Sequence, residues 1–142
     1  MAAFVKFNKF LEALAEKKHN LGSDQLRFAL TNTPPTAASD TGFLPGSAHP
    51  PPAAANGYTT GGHNATIASS SESGGTYTLA CTTDVVITAT AGGIGPFRYV
   101  LLYNDTSTDD QLIGYWDYGS SITLADGETF TIDVTASLLT IT

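Results

Sequence analysis

Residues Ile94–Ser121 read IGPFRYVLLYNDTSTDDQLIGYWDYGSS and contain the chain's only tryptophan and one of its two arginines. Phe97, Tyr99, Leu101 and Tyr103 alternate with Arg98, Val100 and Leu102, which is the period of a strand. After the polar turn Asn104–Asp110, the alternation resumes: Leu112, Gly114, Trp116 and Tyr118 against Ile113, Tyr115 and Asp117. Both faces of this ribbon carry large apolar groups, which a strand wet on one side does not need. The ribbon is therefore expected to be covered twice, by a second sheet and by the N-terminal helix, the proline-rich arm or another subunit. Arg98 and Asp117 are placed for a cross-strand ion pair, with Trp116 and Tyr115 beside them.

Outward from the ribbon the alternation continues. Gln25–Thr31, Tyr77–Ala80, Val85–Thr90 and Leu138–Ile141 read as strands, Ala65–Ser69 as a weaker one, and Ser70–Gly75 as a turn. Asp126-Gly127, between Ile122/Leu124 and Phe130/Ile132/Val134, is the strongest hairpin cue, and Gly119 and Gly95-Pro96 read as turn formers. About eight short strands without a βαβ rhythm predict an all-β, antiparallel sandwich of the jelly-roll type. Ala3–Lys18 is the single helical pattern, with Phe4, Phe7, Leu11 and Leu14 recurring at three- and four-residue spacing. Asn20 and Gly22 supply its stop. Too short to stand alone, this helix must seat its stripe on its own domain or on another subunit.

The expected organisation is a helical segment (1–22) and one β domain (23–142) carrying an arm at 32–62. That arm holds six of the seven prolines, with Asp40 as its sole charge. About thirty residues without regular structure is long for a compact domain. Phe43, Leu44 and Tyr58 within it call for cover, from a neighbour if the arm orders on one.

Charged residues make up 13% of the 142-residue chain, about half the usual share, which lowers the desolvation cost of protein contacts. Met1–Arg27 carries five basic against three acidic residues, whereas the remainder sets Arg98 against ten acids, giving −7 in all. Such a body is a poor match for a phosphate backbone, so direct nucleic-acid binding is disfavoured. Lys6, Lys9, Lys17 and Lys18 make the helix's wet face, able to meet an acidic partner. No stretch approaches the roughly 20 apolar residues of a membrane span, and none has the form of a secretory signal.

The chemistry-bearing groups are sparse. Cys81 is alone, and His19, His49 and His63 lack metal-ligand spacing, so neither a cofactor nor a metal is expected. Asn104, Asp105, Asp109 and Asp110 are oxygen-rich, as a calcium loop requires, but lack the EF-hand order and its glycine. Acids and hydroxyls are equally what a solvated turn contains. Gly92–Gly95 has no following lysine, and no serine stands in a nucleophile elbow. A metal-dependent or carboxylate-type polysaccharide-processing protein is the enzymatic alternative, with no carboxylate pair singled out.

Two segments, Phe7–Pro35 and Ile94–Asp133, together with the NGYT-GG element at Asn56–Gly62, resemble small structural proteins of tailed bacteriophages and prophages. The resemblance spans most of the chain and departs at Asp40–Ala55. It implies a non-enzymatic virion protein, a capsid decoration or cement protein made in the host cytoplasm and carried on the head surface. The alternatives in that class are tail or head-fibre components. Its implied partners are the major capsid protein and copies of itself, as dimer or trimer. Phe4, Phe7, Leu11, Leu14, Phe43, Leu44 and Tyr115 are the expected contact residues. Arg98, Trp116, Asp117, Gly119, Asp126 and Gly127 are expected to hold the fold.

Overall fold

The computed structural model describes residues 2–43 and 49–142. In chain order, the elements among the described residues are β1 (Phe4–Lys6), α1 (Asn8–Ala15), β2 (Leu26–Thr31), β3 (His63–Ala65), β4 (Ile67–Ser73) and β5 (Thr76–Cys81). There follow β6 (Val85–Thr88), β7 (Ile94–Asn104), β8 (Leu112–Leu124), β9 (Thr129–Ile132) and β10 (Leu139–Ile141). Among the described residues the fold is all-β with one short helix, and every strand pairing is antiparallel.

The β7–β8 ribbon is its centre. Val100 lies opposite Trp116 and Leu101 opposite Tyr115, with register shifts near Phe97 and Tyr103. β2 pairs along the other edge of β7, and β3 and β1 complete a five-stranded sheet in the order β1-β8-β7-β2-β3. A three-stranded sheet (β10-β5-β4) and a two-stranded one (β6-β9) stand beside it. Leu79 of β5, Ile87 of β6 and Ile132 of β9 share one apolar cluster with Phe28, Leu102 and Leu101 of the large sheet. Burying such side chains stabilises by about 1.5–3 kcal/mol each.

Over β7 and the first half of β8, both faces of the ribbon are covered within the chain. Residues opposite one another share a face, so Val100, Trp116 and Leu30 stand together, as do Tyr99, Leu101 and Ala29. Val100 and Trp116 border the same groove as Ile132 and Val134, which places the β9 region over the first face. On the second face Phe7 packs its ring 5.4 Å from Tyr115. The arm adds Phe43, 4.7 Å from Tyr103, and accepts a hydrogen bond from Thr31 Oγ1 at Pro50 O.

The structure corrects several expectations. Phe4–Lys6 is a strand, not helix: Phe4 lies opposite Trp116, and the free edge of β8 offers backbone partners that a frayed helical turn lacks. The three-residue spacing of Phe4 and Phe7 suits either geometry. The helix also ends earlier than Asn20, with Lys17 at φ 65° and Lys18 N–H donating to Ala13 O, a Schellman closure on a residue other than glycine. Ser70–Ser73 belongs to β4, leaving Gly74-Gly75 as the reversal. β2 is buried on both faces: Ala29 and Thr31 are as inaccessible as Phe28 and Leu30.

Asp126-Gly127 does form a turn, closed by Glu128 N–H to Ala125 O, with Gly127 at φ 86°. It is not a hairpin, because β8 pairs with β7 and β1 whereas β9 pairs with β6. Local turn chemistry reverses the chain, and packing decides which strands meet. The described residues of the arm, too, are laid on their own domain. Gly42 bridges Gln111, Phe43 is buried, and the Tyr58 hydroxyl accepts Leu30 N–H at 3.0 Å. Burial pushes the Tyr58 phenol up to about 12. Gly62, at φ 87°, passes so close to Phe28 O that a Cβ would collide with it.

Candidate interaction surface

The residues expected to meet a partner separate into three groups. Phe7 and Phe43 are buried inside the chain, at 0% and 5% exposure, and Tyr115 is half-buried between Phe7 and Tyr99. All three pack within the chain, where the helix and the described part of the arm lie against the ribbon's second face. Phe4 and Leu14 are half-buried against the core, and Phe4 stacks 5.0 Å from Trp116. Leu11 stands free at 46% exposure. Leu44 lies outside the described residues.

The ion pair takes the expected form. Arg98 Nε and Nη2 donate to the two carboxylate oxygens of Asp117 at 2.7 and 2.9 Å. Gly119, at φ 98°, turns its N–H back onto Asp117 Oδ1 at 2.8 Å. The arginine and then this N–H hold the Asp117 carboxyl below its ordinary range, and Asp117 in turn raises Arg98. The pair is more than a third exposed on both sides, so it orients the strand more than it stabilises it.

Beside that pair lies the feature that sequence reasoning missed. A groove of about 340 Å³ separates β8 from β9, lined by Trp116, Tyr118, Phe130, Ile132 and Val134 with Ala2 at one end. Tyr118 is 55% exposed, its ring edge-on to Phe130 at 5.8 Å, and Phe130 rests on Phe97 at 5.1 Å. Asp133 and Thr131 supply the polar rim. The alternation of Trp116 with Tyr118, and of Phe130 with Ile132 and Val134, was visible. What could not be read was that the two strands join different sheets and leave a gap between them.

Other chemistry-bearing groups are tied down. Asp105 sits 3.5 Å from Arg27 Nε, which also donates to Asn64 Oδ1 at 2.8 Å. Burial, then Asp105, pushes the Asp110 carboxyl up. His49 Nε2 lies 2.8 Å from Asp40 Oδ2. Burial raises the Cys81 thiol, which suits packing better than reactivity. Among the described residues no three His, Cys, Asp or Glu side chains converge as a metal site would require, and no helix is long and apolar enough to cross a membrane.

The groove is thus an aromatic surface with a polar rim of Thr131 and Asp133. It has the makings of a contact patch, in which rigid rings supply area at low entropic cost. No family model, curated protein or solved structure matches the chain.

Proposed function

We propose that this chain is a non-enzymatic structural protein of a tailed-phage virion, a decoration or cement protein that binds the major capsid protein on the assembled head. The carrying observation is the open aromatic groove at Trp116, Tyr118 and Phe130 on a chain with few charges. The resemblance of Phe7–Pro35 and Ile94–Asp133 to phage structural proteins supports the same reading. We further propose that the three antiparallel sheets around one core are a jelly-roll variant of the sandwich. Cementing requires no reactive group; it requires a surface that binds the shell better than it binds free subunits. The described residues of the arm pack on their own domain. Contact falls to the groove and to exposed apolar groups such as Leu11 and Val86.

The test is binding of purified protein to head shells stripped of it. Tyr118→Ser combined with Phe130→Ser is expected to weaken attachment at least about tenfold, the scale of one hot spot, with the fold retained. Undiminished attachment by a folded double variant would reject the groove as the contact. Attachment to tails but not heads would favour the fibre reading.

A further inference from the structure

His19, in the loop after α1, is 6% exposed, and Asn104, the last residue of β7, is fully buried. Their side chains meet: Asn104 Nδ2 lies 3.0 Å from His19 Nδ1 and 2.6 Å from Asp24 Oδ2. The orientation of the amide is dictated by its other end, where Asn104 Oδ1 accepts the backbone N–H groups of Thr106 (3.0 Å) and Ser107 (3.2 Å). Nδ2 is therefore the donor, with one hydrogen for Asp24 and one for His19. His19 Nδ1 must then offer a lone pair, which makes the ring neutral with its proton on Nε2. Nε2 is buried and, among the described residues, has no hydrogen-bond partner, so nothing there rewards a charge. A proton added at Nδ1 would face the amide N–H directly.

We propose that His19, Asn104 and Asp24 form an acid-sensitive latch. It fastens α1 and its trailing loop to the tip of the β7–β8 ribbon at neutral pH and releases them when His19 takes up a proton. Only that segment depends on it. Gln25 N–H donates to Thr106 Oγ1 and Asp105 N–H to Gln25 O, so β2 stays fastened after His19 lets go. α1 is eight residues long, and Phe10 packs its ring on His19 at 5.2 Å, so loss of the imidazole contact loosens the helix itself.

The neighbouring charges do not cancel the effect. Desolvation is the largest influence and lowers the His19 pKa; Asp24 raises it less, and Lys18, 3.2 Å from Glu16, lowers it further. Lys17 and Tyr77 border the same cleft of about 500 Å³ beneath the loop, and the neighbouring Asp105 is engaged with Arg27. Release would widen that cleft and bare Phe10. The proposal is independent of a virion role.

Hydrogen exchange of the full chain at pH 7.5 and 5.0, expressed as protection factors, tests it. Amides of α1 and its loop are expected to lose about tenfold or more protection at the lower pH, and those of β7 no more than about twofold. His19→Gln, whose carbonyl still accepts from Asn104 but does not titrate, should abolish the difference, and His63→Gln should leave it intact. Equal loss in α1 and β7, an unchanged response in His19→Gln, or its disappearance in His63→Gln overturns the latch. If His19→Gln does not fold, imidazole NMR of the unmodified chain decides. A neutral ring protonated at Nε2 and titrating below the ordinary histidine value supports the latch; an Nδ1 proton or a titration at or above that value overturns it.

Discussion

At the Asn104 end of the β7–β8 ribbon, side chains are taken up in ties between segments; beyond Trp116, they stand over an open groove. The first region joins the loop after α1, the start of β2, the arm and the ribbon's own turn through Asn104, Gln25, Arg27 and Phe43. The second has Tyr118 more than half exposed and Phe130 facing a gap of about 340 Å³. Both carry large rings on the same two strands. The difference is whether the chain itself covers them. A face that the chain covers contributes stability, and a face left open is where a partner can contribute it instead.

Substitution should separate the two regions. The largest effect is expected at the covered side from Gly62→Ala, because a Cβ would run into Phe28 O at a positive φ. Loss of the cooperative thermal transition is the expected result. Phe43→Ala, which strips a buried ring from Tyr103, should cost about 3–5 kcal/mol in urea denaturation. Asn104→Ala should cost about 1–3 kcal/mol, since it removes the acceptor of the Thr106 and Ser107 N–H groups and one of the donors to Asp24, whose Oδ2 keeps the Asn20 N–H. Tyr118→Ala at the open end should change stability by no more than about 1 kcal/mol. A Tyr118 cost equal to that of Phe43 would break the distinction.

Acid should act on the covered region as well. His19 and His63 are both held below the ordinary histidine value, in each case chiefly by burial. The unfolded chain therefore takes up protons first as the pH falls through about 6.5, and the stability present above that value is lost below it. Stability measured from pH 7.5 to 5 should decline, and the double variant His19→Gln/His63→Gln should flatten the slope in this window. The smallest effect belongs to Asp117→Asn: its pair with Arg98 is exposed, and salt should erase what little it contributes.

Legibility in the sequence followed the same division. The ribbon, its two apolar faces and the Arg98–Asp117 pair could be read because strand alternation encodes them locally. The cover of the second face could be narrowed to helix, arm or partner but not chosen, since that depends on where Phe7 and Phe43 land. Phe4 reads as helical because a three-residue spacing of aromatics fits a helix, while the free edge of β8 is a tertiary fact. The His19–Asn104–Asp24 cluster joins residues 80 and more apart, with no motif to announce it. The groove went unread for a similar reason: Asp126-Gly127 looks like a hairpin, and only packing sends β9 to β6.

The central claim is that the open region is an interface on an assembled head. Its most direct test is the copy number and position of the chain on phage particles purified from an induced culture of the organism that encodes it, by quantitative mass spectrometry and electron microscopy. The account predicts copies in the hundreds, on the order of one per capsid subunit or per few subunits, distributed over the head with the Trp116–Tyr118–Phe130 face against the shell, as a repeated symmetric contact requires. Absence from particles, a handful of copies at the tail, or that face turned to solvent would contradict it.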